Sequence, residues 1–223
     1  MELLLDTANV EEIKKYCDLY EIKGVTTNPT ILSSAKGGFF ELFWSIKKII
    51  QDRQLHIQVT AVNWEDMIKE AEAITASLGK DVYIKVPVDE QGIKAMKELK
   101  HMQYHVTATA VYTIQQAMLA STVGADYVAP YFNRMNNLNI DSKKVIGDIV
   151  TLFDKDNSPT KVLAASFKNT QQVLDSLTVG VHAVTMPGAI LSQMVSNSLI
   201  DGAVEAFRAD WVRTYGNKMI HEL

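Results

Sequence analysis

The stretch Asp81-Val82-Tyr83-Ile84-Lys85-Val86-Pro87-Val88-Asp89 places one cation among β-forming residues. An ammonium ion is costly to bury in an apolar strand, so charges are scarce there unless they are paired or used. One reading is an edge strand whose lysine points to water. The other is an amine held where it loses its proton and becomes a nucleophile. Pro87 has no N–H for a sheet ladder, so the strand is expected to end near it. Lys85 then sits near the strand's carboxyl end.

On the N-terminal side, Glu2–Asp6, Lys23–Thr27 and His56–Thr60 read as further strands. On the C-terminal side, Tyr104–Thr109, Asp126–Tyr131, Lys161–Ser166 and Ala183–Met186 do the same. Between them apolar residues recur at helical spacing, as in Val10, Ile13, Tyr16 and Tyr20, or Trp64, Met67, Ala71, Ile74 and Leu78. Thr7 or Asn9, then Asn63 and Asp89, stand where helix caps belong. Asn136 to Asn139 reads as an Asn-rich loop after the sixth strand. Strand and helix alternate some eight times, with no Ser/Gly-rich linker. That pattern means a parallel sheet with crossover helices. In 223 residues it predicts an α/β, single-domain (β/α)8 TIM barrel at the compact end of the range. The rival, an open doubly wound sheet, usually carries a Gly-rich turn after its first strand. Here that turn is Asp6-Thr7-Ala8-Asn9.

The barrel is assigned to residues 1–199, and 200–223 to an additional C-terminal helix and tail. On that helix Ile200, Val204, Phe207, Trp211 and Tyr215 form one apolar and aromatic stripe. A closed ring has no ninth slot for it. The stripe either packs across its own barrel or docks on a neighbouring subunit, since large aromatics favour interfaces.

Hydrophobic residues make up 47% of the chain and charged residues 22%, which is ordinary for a soluble globular protein. The net charge of −4 argues against bulk nucleic-acid binding. The one cysteine, Cys17, excludes an intrachain disulfide and falls on a core stripe. No apolar run approaches the roughly 18 residues of a membrane span, and no signal peptide precedes the first strand. A cytoplasmic location is the expectation. His101 and His105 are four apart, but a strand begins at Tyr104 between them, so no metal site is expected.

Barrels place functional groups at the carboxyl ends of their strands. Those ends read Asp6, then Thr26 and Asn28, then Gln58 with Thr60, Lys85, Thr107 with Thr109, Tyr131 and Ser166. One polar strand end is turn chemistry. So many converging ends point to a polar site around Lys85. A free lysine, with a pKa of about 10.4, is a poor nucleophile at neutral pH by about 4–5 kcal/mol. Burial lowers a lysine pKa by up to about 3–5 units, which is the right size to offset that deficit. A neutral amine attacks a ketone to give an iminium ion. That ion is an electron sink, so the adjacent carbon–carbon bond can break or form, and neither metal nor organic cofactor is required.

Protons must also move. Tyr131, Gln58, Thr109 and Asp6 are candidates to hold a water or act directly. Tyr131 leads because its hydroxyl both donates and accepts; the alternative is a buried tyrosine that has merely found a partner. Arg134 and Lys168, with Ser166, lie near the ends of strands six to eight, where barrel phosphate sites are common. Arg134 offers a bidentate fork to phosphate oxygens, or is simply a surface-loop arginine. Asn28 joins the substrate-binding set.

Several stretches together resemble the small-subunit transaldolase family, most closely its fructose-6-phosphate aldolase branch. They are residues 1–9, Gly24-Val25-Thr26-Thr27-Asn28-Pro29, Lys85-Val86-Pro87-Val88, Thr109-Ala110-Val111-Tyr112, Tyr127-Val128-Ala129-Pro130-Tyr131, Asn133-Arg134 and Val162 to Lys168. The resemblance implies a barrel and a Schiff base on Lys85. It also implies phosphate contacts at Arg134 and Ser166 with Lys168 close by, and a water and proton-transfer set of Asp6, Gln58, Thr109 and Tyr131. It implies a homo-oligomer, a decamer of two five-membered rings, with the C-terminal helix reaching a neighbour. Transaldolases of this family generally carry glutamate in place of Gln58 and phenylalanine in place of Tyr131, so both positions side with the aldolase. The Asn136–Asn139 stretch and Met186-Pro187-Gly188 depart from that branch near the expected phosphate end. The expected activity is reversible cleavage of fructose 6-phosphate to dihydroxyacetone and glyceraldehyde 3-phosphate. A transaldolase and a non-catalytic sugar-phosphate-binding barrel are the alternatives.

Overall fold

Short strands rich in Val, Ile, Leu and Ala suit a sheet that is buried on both faces. The computed structural model describes residues 1–35 and 37–223. Its strands are β1 (Glu2–Asp6), β2 (Gly24–Thr26), β3 (Gln54–Gln58), β4 (Tyr83–Pro87), β5 (His105–Val111), β6 (Tyr127–Pro130), β7 (Lys161–Ala164) and β8 (Ala183–Met186). They pair in parallel in sequence order, and β8 returns to β1, so the sheet closes into a (β/α)8 barrel. The helices are α1 (Val10–Leu19), α2 (Pro29–Leu32), α3 (Phe39–Ile50), α4 (Trp64–Leu78), α5 (Glu90–His101), α6 (Ile114–Thr122), α7 (Phe132–Asn137), α8 (Ser142–Asp156), α9 (Thr170–Thr178), α10 (Gly188–Val195) and α11 (Ser198–Tyr215).

Alternation along each strand divides the core in two. Leu5, Val25, Ile57, Ile84 and Val106 face the helices and share one cluster with them. Leu4, Tyr127, Leu163 and Ala183 form a second cluster inside the barrel. Side-chain caps set the helix starts. Asn9 accepts from the N–H groups of Glu11 and Glu12, Asn63 from Asp66, and Asp89 from Gly92. Gly92 is required where it stands, because a Cβ there would lie 1.8 Å from the Pro87 carbonyl oxygen. The first turn of α5 thereby closes directly onto the end of the strand that carries Lys85.

Four local expectations are corrected. β3 begins at Gln54 and ends at Gln58, so Thr60 lies beyond the strand. Glu70 on α4 draws Thr60 away, accepting from its hydroxyl at 2.8 Å. The Asn136–Asn139 segment is not simply a loop. Asn136 and Asn137 end α7, which is anchored by the buried Met135, and Asn139 takes a left-handed φ of 57° just after it. Tyr131 caps α7 instead of closing β6, and it touches the sheet only through an isolated bridge to Ala165. β5 runs on to Val111 with a bulge between Ala108 and Val111, where Ala110 has φ 57°.

No residue of α11 is buried. Leu199 is 79% exposed and Phe207 70%, so the stripe is not packed across its own barrel. No helix among the described residues is long and apolar enough to cross a membrane.

Candidate active site

Lys85 points into the barrel from the middle of β4 and is 4% exposed. Its Nζ donates to the carbonyl oxygen of Thr27, just beyond β2, at 2.7 Å. Burial pushes its pKa below the ordinary lysine value, opposed only by attraction to Asp6. The direction is the one a nucleophilic amine needs. Gln58 and Thr107 are its neighbours in register on β3 and β5. The same strand closed by apolar side chains alone would have no reason to hold a cation here.

Asp6 ends β1, and its Oδ1 accepts from the Thr26 hydroxyl at 2.7 Å. Thr26 is tied in turn to Thr185 on β8 at 2.8 Å. Desolvation raises the Asp6 carboxyl above its usual range, against the pull of Lys85, the Thr26 bond, Arg134 and Lys168. Asp6 and Lys85 are thus two groups whose charged forms burial disfavours and whose mutual attraction favours. Each group therefore shifts the protonation of the other without a direct hydrogen bond between them among the described residues.

The Tyr131 hydroxyl lies 2.8 Å from Thr109 Oγ1. Desolvation raises its pKa, while the Thr109 bond and the nearby Arg134 cation lower it. The Arg134 guanidinium sits 4.8 Å from the centre of the Tyr131 ring. Gln58 contributes a different signal: its buried Oε1 has no hydrogen-bond partner among the described residues. A buried acceptor left open costs about 1–3 kcal/mol, so it fits a place for a water or a substrate hydroxyl.

A cavity of about 360 Å³ opens above Lys85. Asp6, Asn28, Lys85, Tyr131, Arg134, Ser166 and Lys168 all line it. The fold therefore brings both halves of the expected set to one space. Thr109 and Gln58 do not line it: Thr109 is fully buried behind Tyr131, and Gln58, the register neighbour of Lys85, lines a separate cavity with Phe39, Phe40, Thr60 and Glu70. Ser166 takes φ 65°, a left-handed conformation that non-glycine residues rarely adopt. Backbone strain of that kind collects at sites where a side chain or a carbonyl must be aimed.

Sequence reasoning missed Thr30, Asn133 and Asn137 in the cavity wall, and Thr185 beneath Asp6. Thr185 carries a readable signal, a hydroxyl at an inward position of β8. Asn133 stands next to Arg134, and that adjacency is its one readable signal.

The arrangement can do amine chemistry. It holds a desolvated lysine, a carboxyl beside it, a tyrosyl hydroxyl on the cavity wall, and cations at one end. The family model described as Transaldolase/Fructose-6-phosphate aldolase matches residues 3–218. The chain belongs to that family. It is 45% identical over 213 residues to a protein of Streptococcus pneumoniae named "Probable fructose-6-phosphate aldolase", covering 95% of this chain and 96% of the relative. It is 38% identical over 211 residues to a "Probable transaldolase" of Kosmotoga olearia, covering 95% and 96%. A "Probable transaldolase" of Clostridium kluyveri is 36% identical over 211 residues, covering 95% and 97%. Membership makes the protein an enzyme of aldolase or transaldolase type.

Proposed function

We propose that this family member is a Schiff-base-forming aldolase that reversibly cleaves fructose 6-phosphate to dihydroxyacetone and glyceraldehyde 3-phosphate. The observation that carries the proposal is Lys85, an amine with a depressed pKa opening on a cavity that also holds Asp6 and Tyr131. In the cleavage direction the deprotonated Lys85 attacks the C2 ketone, and loss of water leaves an iminium ion. A base takes the proton of the C4 hydroxyl. The C3–C4 bond breaks, its electrons pass to the iminium as an enamine, and the aldehyde phosphate departs. The enamine is then protonated, and water releases dihydroxyacetone and the free amine. Tyr131, supported by Thr109, is the proposed proton carrier. Asp6 and the open Gln58 amide hold the water through which it works. Arg134, Ser166 and Lys168 bind the phosphate, and Asn28 binds the sugar chain. No metal or organic cofactor takes part.

Incubation with dihydroxyacetone and borohydride, followed by peptide mass analysis, should label Lys85. An active Lys85→Ala enzyme would end this reading. A second reading is a transaldolase, favoured by the names of the relatives at 36–38% identity. It predicts that fructose 6-phosphate is consumed only when erythrose 4-phosphate is present. Gln58 and Tyr131, which depart from the transaldolase pattern of glutamate and phenylalanine, support the aldolase.

In this reading residues 1–199 are the catalytic barrel and 200–223 dock on another copy of the chain. The stripe of α11, with no buried residue, supports a homo-oligomer. Light scattering of the purified protein at monomer mass would overturn that assignment.

A further inference from the structure

The cationic end of the cavity is framed by side-chain amides that the proposed reaction leaves without a role. The backbone N–H of Lys168 donates to Gln172 Oε1 at 2.8 Å, and Gln172 Nε2 donates to Asn133 Oδ1 at 3.0 Å. Gln172 lies in the first turn of α9 and is buried, with 9% exposure. Asn133 lies on α7, next to Arg134, and lines the cavity. Two backbone bonds already join these segments: Phe132 N–H donates to the Ala165 carbonyl at 2.9 Å and Asn133 N–H to that of Ser166 at 3.0 Å.

A carboxamide can face either way, but a backbone N–H can only donate. Lys168 therefore draws the oxygen of Gln172 towards itself. That turns Gln172 Nε2 towards Asn133, which must answer with its own oxygen. The Asn133 NH2 group is what remains, and it has no partner among the described residues. The orientation of one backbone N–H is thus relayed through two amides to a pair of donors beside Arg134. Gln116 offers a contrast within the chain. It holds the matching position in α6, where its Oε1 accepts from Tyr112 and Thr113 N–H. Among the described residues it makes no bond to a neighbouring loop.

We propose that Asn133 donates through Nδ2 to the phosphate of the sugar-phosphate substrate, and that Gln172 is the positioning residue that sets its amide for that task. The proposal rests on the phosphate-binding reading given under Proposed function.

The test compares KM and kcat for aldol addition of dihydroxyacetone to glyceraldehyde 3-phosphate and to unphosphorylated glyceraldehyde. Asn133→Asp keeps the shape but replaces the donor with a carboxylate. KM for the phosphorylated aldehyde should rise about tenfold or more, the usual worth of a hydrogen bond to a charged group, and much less for glyceraldehyde. Gln172→Glu still accepts from Lys168 N–H, so the start of α9 is preserved. It offers Asn133 an oxygen, which makes Asn133 turn its NH2 away from the cavity. It should therefore shift the KM ratio in the same direction as Asn133→Asp. Gln116→Met removes a comparable cap and should lower Tm without moving the ratio. Equal changes with both aldehydes, or no change in either variant, would overturn the proposal while the phosphate reading stands. A wild-type enzyme that does not distinguish the two aldehydes would overturn both.

Discussion

Where the strands begin, the barrel interior holds Glu2, Gln54, His56, Thr107 and Tyr127; where they end, it holds Asp6, Gln58, Lys85, Thr109 and Tyr131. The first group is a closed chain of bonds. Lys161 pairs with Glu2 at 2.6 Å, and the Tyr127 hydroxyl donates to the other Glu2 oxygen. Gln54 Nε2 donates to Tyr127 at 3.0 Å, and its Oε1 lies 3.1 Å from His56 Nε2. His56 Nδ1 lies 2.8 Å from the Thr107 hydroxyl. The carboxylate at one end fixes the sense of the chain, so Nε2 carries the His56 proton and Nδ1 accepts from Thr107. The second group is unfinished: Gln58 Oε1 is open, and the Asp6 and Lys85 charges are both disfavoured by burial. Similar residue types therefore serve two ends. Polar groups that satisfy one another brace the barrel, and those left wanting are available for chemistry.

Two tyrosines put that contrast to its hardest test. Tyr131→Phe removes a hydroxyl from the open end while keeping the ring. Fructose 6-phosphate cleavage should fall by about 10²–10⁴ in kcat, the range for loss of a positioned acid or base, with little change in Tm. A fall of only a few-fold would move proton transfer to another group. Tyr127→Phe makes the same chemical change at the closed end. It strips a partner from both Glu2 and Gln54, so urea unfolding should show a loss of about 1–3 kcal/mol, with kcat little changed. If Tyr127→Phe harms turnover more than stability, the two ends are not separate in function.

Much of the open end was legible in the sequence because strand ends are marked by their own residues. Asp6, Lys85, Tyr131 and Arg134 each announce a polar group where a barrel expects function. The closed end was not legible. His56 and Thr107 lie 51 positions apart, and Tyr127 and Glu2 lie 125 apart. Each reads singly as a stray polar residue in an apolar strand. The strand-end pattern puts Thr107 with Thr109 at the site, yet its hydroxyl is committed to His56. The two-residue shift of β3 has a similar origin. Gln54 is polar and follows a turn, so only its bond to Tyr127 reveals that it belongs inside. The bulge at Ala110 has no local signal either, since alanine does not advertise a positive φ.

His56 sharpens the comparison through pH. It is fully buried, and desolvation, with Lys85 and His105 nearby, holds its pKa well below the ordinary value of 6.5. Below pH 6.5 the unfolded chain takes up a proton that the folded barrel refuses. Stability should therefore fall as pH drops, by up to about 1.4 kcal/mol per pH unit from this group while it stays neutral in the fold. His56→Asn should flatten that slope between pH 6.5 and 5 in urea titrations, even if it lowers stability at neutral pH. An unchanged slope would mean that His56 is already protonated in the folded barrel.

The smallest effect expected is at the open end, where Asp6 works against the purpose of Lys85. Burial lowers the lysine pKa, and the Asp6 carboxylate pulls it back up. Asp6→Asn keeps an oxygen to accept from Thr26 but removes the charge. The Lys85 pKa should then fall further, so the free amine persists to lower pH. The rate of borohydride trapping with dihydroxyacetone, followed against pH, reports that directly, because only the neutral amine attacks the ketone. Its acid limb should move to lower pH in Asp6→Asn, because the attraction that holds the Lys85 proton is then gone. Turnover should still fall, because the carboxylate is also proposed to hold the working water. A limb that moves to higher pH would show that Asp6 is protonated in the resting site and stabilises the neutral amine as a hydrogen-bond donor.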